Sequence, residues 1–194
     1  IGKYMCYFKK TGALYRKIDT GKKLVALTYD DGPSKNTNTI LKVLKKYDSA
    51  ATFFEVGNRI ASYKSIVKKI DKMGCEIGNH TYNMHSSTAR KGCKIMNGED
   101  PENYIKIVNQ DISLLQQLIS EHANTCPIVF AYPYGACCKE IIPVLKENGF
   151  MITLNCYEKP NYIIRDINCL YGINRYNRSG LYSTDEFMKK LLSE

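Results

Sequence analysis

The sequence LVALTYDDGP at residues 24–33 is the first strong indication of the fold. Its first six residues are apolar or β-favouring, and the run stops at the cluster DDGP, which is typical of turns. This pattern predicts a buried strand whose carboxyl end carries two acids. Apolar residues at helical spacing follow at 40–44, and AATFFEV at 50–56 then repeats the strand pattern. These stretches together predict a β-α-β unit.

Helix-like and strand-like stretches keep alternating after this unit. Apolar residues three or four apart indicate amphipathic helices, and short apolar β-favouring runs indicate strands. The later predicted elements are a helix at 60–70, a strand at 75–79, a helix at 102–121, a strand at 127–131, a helix at 138–148, a strand at 151–154 and a last helix opened by a capping box at 183–186. The alternation predicts one continuous domain of the α/β class with a mostly parallel sheet.

Length and composition limit the classes of protein to consider. A chain of 194 residues with 44% hydrophobic and 24% charged residues has the composition of a single globular domain. Its apolar runs are all shorter than the ~18 residues that a membrane span needs. The net charge of +9 favours anionic surroundings without selecting among nucleic acid, acidic lipid and cell wall. The eight cysteines include no C-x-x-C pair, and their disulfide state stays open.

Two of the three histidines, His80 and His85, directly follow a predicted strand. Their spacing corresponds to about 140° on a helix and to opposite faces of a strand, so the two imidazoles can converge only from a loop. In parallel α/β barrels such loops build the active site, and Asp30-Asp31 ends another predicted strand at the same edge. Two imidazoles and one carboxylate match a catalytic zinc-type site with one position left for water. The alternative is a plain turn and two surface histidines.

Three motifs resemble a known family. TYDDGPS at 28–34, HTYNMHS at 80–86 and FAYPYG at 130–135 are similar, in this order, to the first three motifs of the polysaccharide deacetylases with a NodB-homology domain, carbohydrate esterase family 4. The resemblance implies a distorted (β/α) barrel of the NodB type with fewer repeats than the eight-fold form. It divides the chain into an arm at 1–21, packed on the domain, and a deacetylase domain at 22–194.

The resemblance implies a role for each matching residue. Asp30 resembles the family's catalytic base, and Tyr134 resembles the residue whose backbone N–H stabilises the oxyanion. One divalent metal ion is implied, with zinc first and cobalt, nickel or iron as alternatives. The implied metal ligands are Asp31, His80 and His85. The residues implied to bind substrate are Tyr132, Pro133 and Ile173.

The sequence departs from the family pattern at several positions. The second-motif histidines are five rather than four residues apart, which resembles the poly-N-acetylglucosamine deacetylase branch. Ala131 stands where many members have an arginine that braces the base, and LNCY at 154–157 lacks the fourth-motif acid. The fifth-motif histidine is replaced by Arg175, which we expect to brace Asp30 as a further catalytic residue. The alternative is that Arg175 and Arg178 form a solvated basic edge.

The resemblance implies a metal-dependent hydrolase. We expect it to remove N-acetyl groups from an N-acetylglucosamine-containing cell-wall polysaccharide or exopolysaccharide and to release acetate. It would act as a monomer, outside the cytoplasm or at the cell surface, near an anionic wall. The alternative is a catalytically silent carbohydrate-binding domain that retains the metal triad. Nucleic acid is not an expected partner, because only the charge of +9 suggests one.

Overall fold

The computed structural model describes residues 25–83, 92–164 and 166–192. The predicted arm at 1–21 lies outside them, so the division of the chain stays a prediction. The strands are β1 (Thr28–Gly32), β2 (Thr52–Glu55), β3 (Glu76–Asn79), β4 (Val129–Ala131), β5 (Ile152–Leu154) and β6 (Tyr171–Ile173). The helices are α1 (Thr37–Lys46), α2 (Gly57–Ile60), α3 (Lys64–Lys72), α4 (Pro101–His122), α5 (Ile141–Glu147) and α6 (Thr184–Leu192), with 3-10 turns at Pro133–Gly135 and Ile167–Leu170.

The six strands form one parallel sheet in sequential order from β1 to β6. Parallel neighbours need crossover connections, and helices supply most of them here. The predicted α/β class with a mostly parallel sheet is therefore confirmed. The capping box is also present, because Ser183 N–H donates to Glu186 and Glu186 N–H donates to the Ser183 hydroxyl at 3.2 Å.

Two predicted elements differ from the observed ones, and one observed strand was not predicted. Strand β1 begins at Thr28, and Val25 and Leu27 before it are 65% and 41% exposed, so the two acids lie within the strand end rather than in a turn after it. The predicted helix at 60–70 is two helices, α2 and α3. Strand β6 was not predicted, because three residues with a central glycine are too short to show an alternating pattern.

The sheet curls until its first and last strands approach each other. Arg175, just after β6, donates to the Thr28 hydroxyl of β1 at 3.2 Å. In a flat sheet with strands ~4.8 Å apart, these two strands would be separated by roughly 24 Å. The curl gathers the carboxyl ends of all six strands around one centre, as in a barrel.

Alternate residues along the strands face two apolar layers. The layer outside the sheet packs the strands against the helices, and its members include Phe53 and Ile77 on one side and Phe130 and Tyr132 on the other. The smaller inner cluster consists of Phe54, Val129 and Ala131. The inner cluster forms the floor below the strand carboxyl ends.

None of the helices in the described ranges has the length and apolar content that crossing a membrane requires. The seven cysteines among those residues form no disulfide with one another.

Candidate active site

Asp30 enters the centre of the barrel because of the alternation along β1. Tyr29 points to the outer layer and stacks on Phe53, with ring centroids 5.3 Å apart. Its neighbours Thr28 and Asp30 therefore point inward. The side chain of Asp30 remains 28% exposed, so its carboxylate can meet both a protein partner and a molecule from solvent.

Arg175 binds the Asp30 carboxylate with both ends of its guanidinium group. The two N–H···O distances are 2.8 and 2.7 Å, one to each carboxylate oxygen. This bidentate geometry gives the strongest kind of hydrogen-bonded ion pair and fixes the plane of the carboxylate. The guanidinium also lies over the Phe54 ring, 5.6 Å from its centroid. The expected contact between Arg175 and Asp30 is present, while its effect on catalysis stays a prediction.

Asp31 and His80 meet at the same edge of the sheet. The Asp31 carboxylate oxygen lies 3.4 Å from His80 Nε2. Asp31 has a φ of 66°, a left-handed conformation that is uncommon outside glycine but better tolerated by Asp. The Arg59 guanidinium donates a hydrogen bond to the Asp31 carbonyl oxygen and so stabilises the end of β1. Two of the three predicted metal ligands are therefore adjacent.

The chemistry of His80 fits a metal ligand. Its side chain is 3% exposed, and Nδ1 lies 2.7 Å from the Ala131 carbonyl oxygen. A carbonyl only accepts, so in the neutral ring Nδ1 carries the proton and Nε2 keeps its lone pair toward Asp31. Metal-binding histidines usually have this carbonyl partner. His85 lies outside the described residues, and within them no group of three His, Cys, Asp or Glu side chains could hold a metal.

The segment after His80 is anchored by side chains that the sequence analysis did not identify. Asp111 on α4 accepts hydrogen bonds from the backbone N–H groups of Tyr82 and Asn83, at 2.7 and 2.9 Å. Asn79 accepts from the Thr81 N–H at 2.9 Å and donates to α4. These contacts fix the backbone of the segment directly after His80.

The third motif contributes a strained turn. Tyr134 has φ 58° and ψ 13°, and its side chain is 56% exposed. Backbone strain of this kind often marks a functional site. Pro133 opens the turn and is buried. Tyr132, predicted to bind substrate, is only 2% exposed and packs edge-on against Phe130, so the structure places its side chain in the outer core rather than at the open face.

Ile173, the last residue predicted to bind substrate, ends β6 and is half-buried. It lies two positions before Arg175. The structure therefore brings Ile173 to the same strand edge as Asp30 but leaves Tyr132 away from it.

Glu55 is a buried acid that the sequence analysis missed. It ends β2 with no exposed surface, and within the described residues neither carboxylate oxygen has a hydrogen-bond partner. Burial raises its pKa to about 8, and the positive charge of Arg59 offsets part of this effect. Its carboxylate lies against Gly32, where a Cβ would be 2.8 Å from an oxygen. The sequence did contain a signal for this buried acid, because Glu55 is the single charged residue in the apolar run AATFFEV at 50–56.

The sequence profile of the family described as polysaccharide deacetylase matches residues 17–153. Among curated proteins, peptidoglycan-N-acetylmuramic acid deacetylase PdaC of Bacillus subtilis is 33% identical over 130 residues, which are 66% of this chain and 25% of the relative. The chain spans between 13% and 62% of the length of three such relatives.

Two solved structures give the same fold. A peptidoglycan N-acetylglucosamine deacetylase superposes with a TM-score of 0.54 at 32% identity, covering 66% of this chain and 54% of its own. A CE4 family pseudoenzyme from Bacillus anthracis has a TM-score of 0.55 at 25% identity, covering 68% and 43%. The expected distorted (β/α) barrel of the NodB type is confirmed by these neighbours and the curled parallel sheet.

Proposed function

The chain belongs to the polysaccharide deacetylase family, and from this premise we propose that it hydrolyses N-acetyl groups of an N-acetylglucosamine-containing polysaccharide and releases acetate. The observation that carries the proposal is the bidentate hydrogen bonding of Arg175 to the Asp30 carboxylate. The same strand, β1, also places Asp31 beside His80. This arrangement provides a partly exposed base beside two groups of metal-binding chemistry.

Asp30 acts as the general base in this proposal. Its carboxylate accepts a proton from the water that attacks the acetyl carbonyl carbon. Arg175 orients the carboxylate through two hydrogen bonds, so the oxygen facing solvent keeps a constant direction toward the water. Arg175 cannot itself deliver a proton, because a guanidinium stays protonated at working pH.

The backbone N–H of Tyr134 is proposed to donate to the oxygen that gains negative charge as water adds. The carbon–nitrogen bond then breaks, acetate leaves, and the sugar amine takes the proton that Asp30 had accepted. One water is consumed, and one acetate and one amine are formed. A single carboxyl group therefore serves as base and then as acid.

Asp31 and His80, with His85 from outside the described residues, are the ligands that we propose for a divalent cation, zinc first and cobalt, nickel or iron as alternatives. When bound, such a cation supplies Lewis acidity that polarises the acetyl carbonyl and lowers the pKa of water. The carbonyl partner of His80 Nδ1 supports this assignment, since it leaves Nε2 as the electron-pair donor.

A second candidate is a catalytically silent carbohydrate-binding domain. It is favoured by the similarity to a CE4 family pseudoenzyme and by the absence of the third-motif arginine at Ala131. The retained Asp30 argues for catalysis, because a binding domain has no need of an oriented base.

Acetate release across a panel of acetylated glycans separates the two candidates. The panel contains N-acetylglucosamine oligomers, peptidoglycan and O-acetylated xylan, each assayed with added metal ion and again after chelation. The proposed enzyme releases acetate from an N-acetylated member in the presence of metal. Binding to an oligomer without any acetate release would support the silent domain.

We further propose that the protein acts as a monomer outside the cytoplasm or at the cell surface, where such polymers lie. Its charge of +9 suits an anionic wall. Immunodetection in wall, medium and cytoplasmic fractions tests the location. Analytical ultracentrifugation tests whether the protein is a monomer. Salt-sensitive retention on isolated walls tests the electrostatic contribution.

A further inference from the structure

Strand β6 carries one extra residue shortly before Arg175. Thr153 pairs with Tyr171 and Leu154 pairs with Ile173, so Gly172 is the additional residue of a β-bulge. Gly172 has a φ of +94°, a conformation that favours glycine. A bulge bends its strand and changes the direction of the side chains beyond it. Arg175 lies three residues after Gly172 and two residues after the end of β6.

Side chains of the neighbouring segment hold both backbone groups of the bulge. The Thr153 hydroxyl accepts from Gly172 N–H at 2.7 Å, and Asn155 Nδ2 donates to the Gly172 carbonyl at 2.6 Å. Thr153 is 0% and Asn155 6% exposed. Polar contacts that are buried and fully paired specify one conformation.

Asn155 also contacts the segment around Arg175 directly. Its backbone carbonyl accepts from Arg175 Nε at 2.9 Å, and its Nδ2 donates to Asn174 Oδ1 at 3.0 Å. Its Oδ1 accepts from Tyr157 N–H at 2.8 Å, and the Tyr157 carbonyl in turn accepts from Arg175 N–H at 3.2 Å. Every hydrogen-bonding atom of the Asn155 side chain is thereby used to hold the segment that carries Arg175.

We propose that Asn155 is a positioning residue, which sets the bulge at Gly172 and so directs the Arg175 guanidinium onto the Asp30 carboxylate. This inference rests on the proposed function, because Asp30 is the base there. Asn155 acts through Arg175 and does not touch the reacting atoms.

The amide of Asn155 is specifically required. Its Nδ2 faces two acceptors, the carbonyl of Gly172 and the amide oxygen of Asn174. A carboxylate in this position would keep the Tyr157 N–H donor at one oxygen but turn its second oxygen, without a donor, toward the Gly172 carbonyl and the Asn174 amide oxygen. An acid at 155 would therefore weaken this bulge, and the chain that carries Arg175 has an amide at this position.

A double-mutant cycle tests the proposal. We expect Asn155→Ala to lower kcat about 5- to 50-fold with KM changed less than about twofold, because the base loses its orientation while substrate contacts remain. In the Arg175→Ala background the same change lowers kcat less than about twofold, since the residue through which Asn155 acts is gone. Equal fold-losses in both backgrounds would overturn the proposal and leave a purely structural role.

Two further variants keep the cycle informative if Asn155→Ala folds poorly. Thr153→Val removes the acceptor for Gly172 N–H at nearly constant volume, and we expect the same pattern across the two backgrounds. Asn155→Asp should have a kcat no higher than that of Asn155→Ala. A kcat of Asn155→Asp close to that of the unchanged protein would contradict the requirement for an amide.

A readout independent of activity separates this proposal from the proposed function. The Nε–H group of Arg175 gives an NMR resonance, assigned by its loss in Arg175→Ala, whose hydrogen exchange reports its hydrogen bond to the backbone carbonyl of residue 155. Asn155→Ala keeps this carbonyl but removes the side-chain contacts that hold the bulge, so we expect Arg175 to leave its place and this exchange to be at least about tenfold faster. The exchange should be unchanged in Asn177→Ala, an exposed amide of the same segment. Unchanged exchange in Asn155→Ala overturns the proposal. Absence of deacetylation by the unchanged protein, with the exchange pattern as expected, overturns only the proposed function.

Discussion

The two halves of the candidate site are stabilised in different ways. Asp30, Asp31 and His80 extend from strands β1 and β3, whose outer faces pack in the main apolar core. Arg175 extends from a segment in which no described residue from 156 to 192 is buried. The family profile also stops at residue 153, before this segment. Hydrophobic burial therefore positions Asp30, the proposed base, and polar contacts position Arg175, which binds its carboxylate.

This difference predicts unequal local stability. Segments with few buried apolar contacts open at lower free energy than core strands. The segment around Arg175 relies on amide contacts, such as Asn161 Oδ1 accepting from Asn174 N–H at 2.7 Å. The two halves also have different proposed roles. The amino-terminal half holds the proposed metal ligands and base, so substitutions there should remove the metal or abolish the reaction. The carboxyl-terminal half orients the base, so substitutions there should only reduce the rate.

The largest effect is expected from the amino-terminal half. His80→Ala or Asp31→Asn should remove the bound divalent cation and reduce acetate release to background, because each removes one ligand of a single site. Metal content per chain, measured by elemental analysis alongside activity, checks this. His122→Ala, at the end of α4, is the matched control and should keep both. Full metal content in His80→Ala would contradict the assignment.

The next largest effect is expected at Asp30. Asp30→Asn should keep the metal and lower kcat by a factor on the order of 10²–10⁴, the usual contribution of a positioned base. Comparing its metal content with that of Asp31→Asn separates the base from the ligand. A rate near that of the unchanged protein would show that another group is the base.

A smaller effect is expected from the carboxyl-terminal half. Arg175→Ala should lower kcat roughly 10- to 150-fold, corresponding to the ~1.5–3 kcal/mol of hydrogen bonds to a charged group, while metal content stays the same. Arg178 contacts the Tyr182 carbonyl at 2.7 Å and not the site, so Arg178→Ala should change kcat by less than about twofold. Equal losses in both variants would support a general loosening of the segment.

The smallest effect is expected at Glu55, where a substitution should change the pH dependence of the free energy of unfolding. Its pKa rises from 4.5 to about 8 on folding, so the folded state holds a proton that the unfolded state releases. This contribution to stability is fully present below pH 4.5 and is lost as pH rises toward about 8, with a slope of at most ~1.4 kcal/mol per pH unit.

Glu55→Gln removes this proton linkage. Urea unfolding of the metal-free protein at several pH values should show the variant gaining stability relative to the unchanged protein as pH increases from 5 to 8. Parallel stability curves for the two proteins would show that Glu55 does not change its protonation on folding.

Much of the fold and part of the site follow from local sequence patterns. Asp30 and His80 end strand-like runs, and the parallel alternation places strand ends at one edge. Asp111 could not be found this way, because it meets Tyr82 across 29 positions of sequence. The roles of Glu55 and Asn155 depend on burial and on a bulge in a strand too short to predict. Tertiary packing, rather than periodicity, determines these positions.

We propose above all that this chain hydrolyses an acetamide with Asp30 as base. The most direct test incubates it with an N-acetylglucosamine oligomer and measures acetate and free amine together. The measurement is repeated after chelation, after restoring zinc, and with Asp30→Asn at matched metal content. We expect equal amounts of acetate and amine, loss of both on chelation, recovery with metal, and strongly reduced turnover for Asp30→Asn. Bound oligomer with neither product, or turnover unaffected by Asp30→Asn, would contradict this proposal.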